Sequence, residues 1–208
     1  MKLLTIAILF GMMTSGILMA ADKDKADANH TDSQLAQLYL LQAAFHRAAS
    51  VHDTVHGDSA EEIDQRIRQI LSLWAEEGEL TLSAGSPLDG NYIGRGDPDD
   101  PSTCPAPSNN PANQGTLCTL YKYVAGSFQP QNKFISLSPS YKTHFQIDGE
   151  TATVYFECHY FDVSTDPTTG DPSWTAVNHI AFDGSARRIG GQWLLWQANA
   201  PKVGVPIP

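Results

Sequence analysis

The stretch from Ser138 to Val163 constrains the fold of this chain more strongly than any other. It contains two long runs rich in aromatic and β-branched residues, separated by an Asp148-Gly149 pair. Such a pair between two strand-like runs predicts a β-hairpin, because glycine accepts the positive φ that a tight turn requires. We therefore expect the remaining segments to cover one face of this hairpin or to extend its sheet.

Alternation divides the second strand of the hairpin into two faces. The more apolar face carries Ala152, Val154, Phe156, Cys158 and Tyr160, with Asp162 at its end. The opposite face carries Thr151, Thr153, Tyr155, Glu157, His159 and Phe161. We expect the apolar set to face the helices. If the opposite face of the strand met the helices, Glu157 and His159 would lie in the interior between helices and sheet instead.

The segments on either side of the hairpin supply helices before it and strands after it. Capping residues followed by apolar residues at helical spacing predict the helices, and short alternating runs predict the strands. We predict helices at about 31–54, 58–78 and 117–124, a short strand at 79–82, a loop at 85–115, and later strands at 174–182 and 192–198. The predicted fold class is α+β, with N-terminal helices packed on a strongly curved, mixed or antiparallel sheet.

The N-terminus has the pattern of a secretory signal peptide: Lys2, an apolar run from Leu3 to Met13, and Ala20-Ala21. An uncleaved anchor is the alternative, although the run is short for a bilayer core of about 30 Å. We expect a signal peptide at 1–21, a flexible tether at 22–32, a domain at 33–200 with a loop insertion at about 97–115, and a tail at 201–208. Cleavage would leave a secreted or periplasmic protein without membrane attachment.

Charge and cysteine content restrict the partners and the compartment. The net charge of −10 argues against nucleic acid as a partner, because nucleic-acid binding requires clustered Lys and Arg. Export permits disulfides, and Cys104 and Cys118 bracket a loop rich in Pro, Asn and Gly, so we pair them. Cys158 lies within a strand and is expected to be a buried, unreactive side chain.

The order of helix, helix, short strand, helix and long antiparallel meander resembles the nuclear transport factor 2-like fold. Local motifs resemble its SnoaL-like branch over residues 33–198, apart from the insertion. They lie in the first helix at Leu38, Leu41, Phe45 and Ala48, and in the segments Leu73–Gly78, Asn91–Arg95, Ile147–Ala152 and Gly191–Trp193.

The resemblance implies a cone with an apolar interior, formed by a curved sheet and the helices. Members of the family include dehydratases, isomerases, cyclases and non-catalytic proteins, and they are often dimeric. The enzymes usually place a His/Asp or Tyr/Asp set inside the cone to abstract a proton next to a carbonyl. This chain departs from that pattern, with Ser50 where the first helix often carries Asp and Ser138-Pro139 where dehydratase-like members carry His.

The resemblance places a set of aromatic side chains near the cone: Phe45, Trp74, Tyr92, Phe156, Tyr160 and Trp193. The catalytic residues, if there are any, are unknown, and the candidates are Asp162, His179 and Tyr160. Glu157, His159 and His179 are a further acid/base set. Strand alternation favours a polar outer sheet face or a dimer interface as their location.

Metal and cofactor sites are not expected. His46, His52 and His56 share the first helix, and His52 and His56 are one turn apart, but no third ligand at a fixed distance is evident. The acidic loop at 97–100 lacks the spacing of an EF-hand and is interpreted as a solvated turn.

We therefore expect an exported protein of undefined activity that binds a small apolar molecule in its cone and forms a homodimer. The alternatives are an acid/base lyase or isomerase and a non-catalytic dimerisation module.

Overall fold

The structure is a computed structural model, and it describes residues 31–50, 59–86, 88–105, 114–128, 133–166 and 168–203. The side chains of 125–141, 160–165 and 172–178 lie outside that description, as does the predicted signal peptide. The chain divides into two compact units, Met1–Gln37 and Leu38–Pro208. The described part of the first unit, residues 31–37, is helical, and everything below concerns the second.

Three helices are present in the described part of the chain: α1 at residues 31–48, α2 at Ala60–Ser72 and α3 at Leu117–Phe128. In α1, Leu38, Leu41, Phe45 and Ala48 are buried at helical spacing. Ser59 begins α2 with a capping box. Its hydroxyl accepts from the Glu62 N–H, and the Glu62 carboxylate accepts from the Ser59 N–H.

The strands form one mixed seven-stranded sheet in the order β3-β2-β1-β7-β6-β5-β4. Their bounds are β1 Trp74–Ser83, β2 Gly90–Ile93, β3 Gln114–Gly115, β4 Lys133–Asp148, β5 Thr151–Thr165, β6 Pro172–Ile189 and β7 Gln192–Pro201. β1 runs parallel to β7 and β2 parallel to β3, and the other neighbours are antiparallel. The predicted α+β class, with helices packed on a mixed sheet, is confirmed.

The boundary between α2 and β1 differs from the prediction, which extended the helix to Gly78. The helix ends at Ser72 with Leu73 as its C-cap, and Trp74 begins a strand of ten residues. The Leu195 N–H donates to the Leu73 carbonyl, and Trp74 lies opposite Leu195 in β7. This pairing joins segments far apart in the chain, so local helical spacing could not reveal it.

The predicted loop at 85–115 contains strands β2 and β3, so that prediction was wrong in part. Tyr92 lies opposite Leu80 of β1, and burial of both apolar side chains stabilises this short antiparallel pair. β6 is also longer than predicted and continues through Ile189 to the Gly190-Gly191 turn.

The hairpin of β4 and β5 has the predicted turn, with Gly149 at φ 60°. β4 is an edge strand, a position in a sheet that tolerates a proline such as Pro139. The register of β4 against β5 shifts between Pro139 and Thr143. Pro139 lies opposite Cys158 and Thr143 lies opposite Phe156, so an advance of four residues in β4 corresponds to two residues in β5. Such a bulge re-aims the side chains near it.

The described part of the inserted loop is anchored to the helices. Cys104 and Cys118 form the predicted disulfide. The Arg68 guanidinium of α2 binds both carboxylate oxygens of Asp99 at 2.7 and 3.0 Å. Lys122 of α3 donates to the Pro98 carbonyl at 2.8 Å. These contacts fix the loop at several points.

No helix among the described residues is long and apolar enough to cross a membrane.

Candidate functional site

The face of the sheet that meets the helices is lined by a compact aromatic cluster. Phe156 and Phe182 lie opposite each other on β5 and β6, and their rings stack at 4.8 Å. Phe45 of α1 approaches both rings at 5.8 and 5.6 Å, and Trp74 approaches Phe182 at 5.7 Å. The interior at this level of the sheet is therefore occupied by packed aromatic side chains.

Five of the six predicted cone-lining side chains lie in this interior and are buried: Phe45, Trp74, Tyr92, Phe156 and Trp193. The Tyr92 hydroxyl donates to the Leu88 carbonyl at 2.7 Å, and the Trp74 indole N–H donates to the Tyr121 hydroxyl at 3.2 Å. The side chain of the sixth, Tyr160, lies outside the described residues.

His46 is a polar side chain within the same interior. It is on α1, only 6% exposed, and its ring lies 5.3 Å from that of Phe156. Its Nδ1 is 2.8 Å from the Gln42 carbonyl oxygen. A carbonyl oxygen only accepts, so Nδ1 carries the hydrogen. In the neutral ring, Nε2 therefore presents a lone pair.

Nε2 of His46 is buried and has no hydrogen-bond partner within the described residues. Burial lowers the pKa of His46, and the hydrogen bond to Gln42 offsets only part of that effect. The ring is thus neutral near pH 7. An unpaired buried acceptor costs free energy. The folded protein bears this cost at Nε2 of His46, a basic nitrogen in an apolar setting that accepts no hydrogen bond from the described residues.

Gln42 fixes the position of this histidine. Its carbonyl accepts from His46, and its Nε2 donates to the Thr143 hydroxyl of β4 at 3.1 Å. Thr143 is the residue at which regular pairing resumes after the β4 bulge. The bulge, the glutamine and the histidine therefore form one connected polar strip beside the aromatic cluster.

Sequence reasoning missed His46 as a site residue and considered it only with His52 and His56, which lie outside the described residues. The available signal was the pair Gln42 and His46, four residues apart inside the apolar stripe of α1. Polar residues at these positions share the apolar face of the helix, so they are buried when that face packs against the sheet.

The opposite, outer face of the sheet holds a second cluster, centred on Glu157. This carboxylate is only 2% exposed. The Tyr155 hydroxyl donates to Glu157 Oε1 at 2.6 Å, and Lys142 Nζ lies 3.3 Å from the same oxygen. His179 Nε2 approaches Oε2 at 2.8 Å.

The cluster brings together residues that the sequence had marked as one acid/base set, Glu157, His159 and His179. Burial raises the pKa of Glu157, but the Tyr155 hydrogen bond and the Lys142 charge outweigh it and hold that pKa below its usual range. The same hydrogen bond raises the pKa of Tyr155 to about 12. Glu157 is therefore ionised and Tyr155 protonated at neutral pH.

The catalytic candidates are not brought together by the described contacts. His179 lies on the outer face, and the side chains of Asp162 and Tyr160 lie outside the described residues. Cys158 faces the interior, where burial raises the pKa of its thiol to about 12, so it is unreactive as predicted. No group of three His, Cys, Asp or Glu side chains in the described ranges is placed to hold a metal.

Comparisons of the sequence with family models and with curated proteins gave no match. Comparison of the structure did. An NTF2-like protein with a cystatin-like fold from Novosphingobium aromaticivorans superimposes with a TM-score of 0.56 and 13% identity, covering 86% of this chain and 87% of that one. A candidate dehydratase of the NTF2-like family from Streptomyces avermitilis gives 0.52 and 18%, covering 84% and 99%.

ActVI-ORFA from Streptomyces coelicolor is similar at a TM-score of 0.51 and 12% identity, covering 83% of this chain and 99% of that one. Identities this low show the fold alone. The chain folds as the NTF2-like proteins with a cystatin-like fold do, and the finer resemblance to the SnoaL-like branch stays a prediction.

Proposed function

We propose that the protein binds a small, mainly apolar molecule in the interior between helices and sheet, and that His46 accepts a hydrogen bond from it. The observation that carries this proposal is the buried Nε2 lone pair of His46, which has no partner in the described structure. A ligand hydroxyl would satisfy that nitrogen and remove the cost of leaving it unpaired.

The surroundings of His46 define the chemistry of the ligand. The adjacent aromatic rings of Phe45 and Phe156 favour an apolar, flat molecule. Because Nε2 can only accept while the ring is neutral, the ligand has to donate, as a phenol or an alcohol does. An apolar body with one hydroxyl meets both requirements.

The packing of the aromatic cluster limits the size of that ligand. Phe156 and Phe182 stack directly on each other, and Phe45 covers both. A bound molecule therefore has to be small or has to displace Phe45 from this position. We expect one or two fused rings to be the upper limit for tight binding.

The test compares 2-naphthol with naphthalene, which differ by one hydroxyl. We expect the wild type to bind 2-naphthol about fivefold more tightly, since one net hydrogen bond contributes roughly 1 kcal/mol. His46→Phe should bind both probes equally, because it keeps the aromatic wall and removes the acceptor. Probe fluorescence or ligand-observed NMR measures both affinities.

The matched control is His144→Phe, which alters an exposed histidine on β4. It should leave the preference for 2-naphthol unchanged. A wild type that binds neither probe contradicts the proposed function. A His46→Phe variant that keeps the wild-type preference contradicts the role of His46.

A second candidate function is proton abstraction next to a carbonyl, because a neutral buried imidazole is also a general base. The similarity to a candidate dehydratase fits this possibility. Deuterium exchange at the α-carbon of 2-tetralone, followed by NMR, tests it. We expect exchange to fall by 10²- to 10⁴-fold in His46→Phe. Exchange no faster than in buffer contradicts it.

Export and homodimer formation remain proposals that accompany this function. Intact mass of the secreted protein would show whether the chain begins after Ala20 or Ala21. Light scattering of the purified protein would show whether its mass in solution is twice that of the chain.

A further inference from the structure

The hairpin of β6 and β7 carries two buried hydrogen-bond donors that lack an acceptor. They are Nε of Arg188 and Nε1 of Trp193, and neither atom has a hydrogen-bond partner in the described part of the chain. Both nitrogens can only donate. A buried N–H without an acceptor is uncommon and costs free energy, so two of them at neighbouring positions indicate a place for an acceptor.

The register of the hairpin puts the two donors on one face of the sheet. Arg188 lies directly opposite Trp193, and such a pair has its Cβ atoms about 5 Å apart on the same face. Trp193 belongs to the hydrophobic core and is 4% exposed, so this face is the inner one. The preceding Arg187 lies on the outer face, where its guanidinium covers the ring of Trp196.

Glu150 is the acidic neighbour of Arg188, and it leaves the Nε atom without an acceptor. Its backbone carbonyl accepts from the Arg188 N–H at 2.9 Å. Its carboxylate is 69% exposed and lies 3.5 Å from Nη1, which is not on the Nε edge of the guanidinium. An ion pair this exposed is weak. The Arg188 side chain is itself partly exposed, so a small ion can reach it from solvent.

The donors define the chemistry of the ligand. The Nε edge of a guanidinium offers two parallel N–H groups, which match the two oxygens of a carboxylate. The Trp193 indole adds a donor for one of those oxygens. The next inward-facing pair along the hairpin is Ala186 and Leu195, and both are buried. These apolar neighbours favour a carboxylate with a short aliphatic chain over a more strongly hydrated anion.

We propose that Arg188 and Trp193 form a binding site for a small carboxylate, whose oxygens accept hydrogen bonds from Arg188 Nε and Trp193 Nε1. The site is separate from His46. It lies at the level of Glu150, whereas His46 lies beside Phe156, and the two levels are roughly 20 Å apart along the strand. Carboxylate binding here does not depend on the function proposed for His46.

The test is an NMR titration of ¹⁵N-labelled full-length protein at pH 7 with sodium propionate, compared with sodium chloride at the same ionic strength. The indole Nε1–H resonance of Trp193 is assigned by its absence from Trp193→Phe. In the wild type it should shift with propionate to a saturating value and should not shift with chloride. Arg188→Gln should weaken propionate binding by about tenfold or more, because a charged donor is lost. Trp193→Phe, followed through the Arg188 Nε–H resonance, should weaken it by about fivefold.

The matched control is Arg187→Gln, which removes the same charge from the adjacent position on the outer face. It should bind propionate as the wild type does. A Trp193 resonance that does not move with propionate, or that moves equally with chloride, overturns the proposal. Equal weakening in Arg187→Gln and Arg188→Gln also overturns it. If circular dichroism shows that Arg188→Gln does not fold, Trp193→Phe decides, and wild-type affinity in that variant overturns the proposal.

Discussion

Phe156 and Glu157 are neighbours in β5, and both are almost completely buried, yet they lie in opposite environments. On the inner face, apolar rings surround a histidine that lacks one hydrogen-bond partner. On the outer face, a charged carboxylate has a tyrosine, a lysine and a histidine around it. The comparison teaches that burial of a polar group marks an available site only where the group is left unsatisfied.

In the outer cluster Glu157 Oε1 accepts from Tyr155, and Oε2 lies 2.8 Å from His179 Nε2 without a hydrogen bond, so charge as well as hydrogen bonding compensates the carboxylate. Nε2 of His46 has no hydrogen-bond partner in the described structure. A carboxylate with several donors can be buried at acceptable cost. A basic nitrogen without a donor is a cost that no contact in the described structure repays. That difference is why we assign ligand binding to the inner face.

The largest expected change in the free energy of unfolding comes from a substitution on the inner face of β5. It tests whether packing on that face stabilises the fold more than the exposed face does. Phe156→Ala removes a ring that packs against Phe45, His46 and Phe182, and should lower the free energy of unfolding by about 3–5 kcal/mol. Thr153→Ala, on the exposed face of the same strand, should change it by less than about 0.5 kcal/mol. Urea denaturation measures both, and equal losses would contradict the comparison.

Removing the Glu157 carboxylate tests whether the contacts of the outer cluster stabilise the sheet. Glu157→Ala leaves the Tyr155 hydroxyl without its acceptor and removes the carboxylate that faces Lys142 and His179, so it should lower the free energy of unfolding by about 1–3 kcal/mol. Glu157→Gln keeps an acceptor and should cost less. If the alanine variant is as stable as the wild type, the cluster does not stabilise the sheet.

Acidification tests the buried base. Burial lowers the pKa of His46 in the folded protein below its ordinary value of 6.5. The neutral ring is therefore favoured by folding, and its contribution to stability is complete above pH 6.5. As pH falls below 6.5, the unfolded chain binds the proton first, so this contribution declines by at most about 1.4 kcal/mol per pH unit.

His159 adds a loss of the same sign, because its pKa is also lowered. Urea denaturation between pH 7.5 and pH 5.5 should show the decline, and His46→Phe should reduce its slope. An identical slope in His46→Phe would mean that His46 is not a buried neutral base.

The smallest expected effect concerns Trp196, on the outer face of β7. The Arg187 guanidinium lies over its ring and also approaches Glu77 at 3.3 Å. Arg187→Ala should cost about 0.5–1 kcal/mol and change the tryptophan fluorescence. Glu77→Gln should change the stability less. This stacking covers part of the Trp196 ring on the outer face of the sheet.

The hairpin, its turn and the division of β5 into two faces could be predicted from the sequence, because they depend on local alternation and on Asp148-Gly149. The strand at Trp74 could not, because its pairing with β7 joins distant segments. The contact of Glu157 with His179 required the register of β5 and β6, which alternation alone leaves open. His46 could not be identified as a site residue, because helical spacing indicates its burial beside Gln42 but not that Nε2 lacks a hydrogen-bond partner.

The central claim is that His46 presents an unpaired Nε2 lone pair to the interior, and ¹⁵N NMR of the labelled imidazole tests it most directly. At pH 7 we predict a hydrogen on Nδ1 and an unprotonated Nε2 whose resonance shifts on addition of 2-naphthol but not of naphthalene. A hydrogen on Nε2, or an Nε2 resonance indifferent to both probes, would contradict the account.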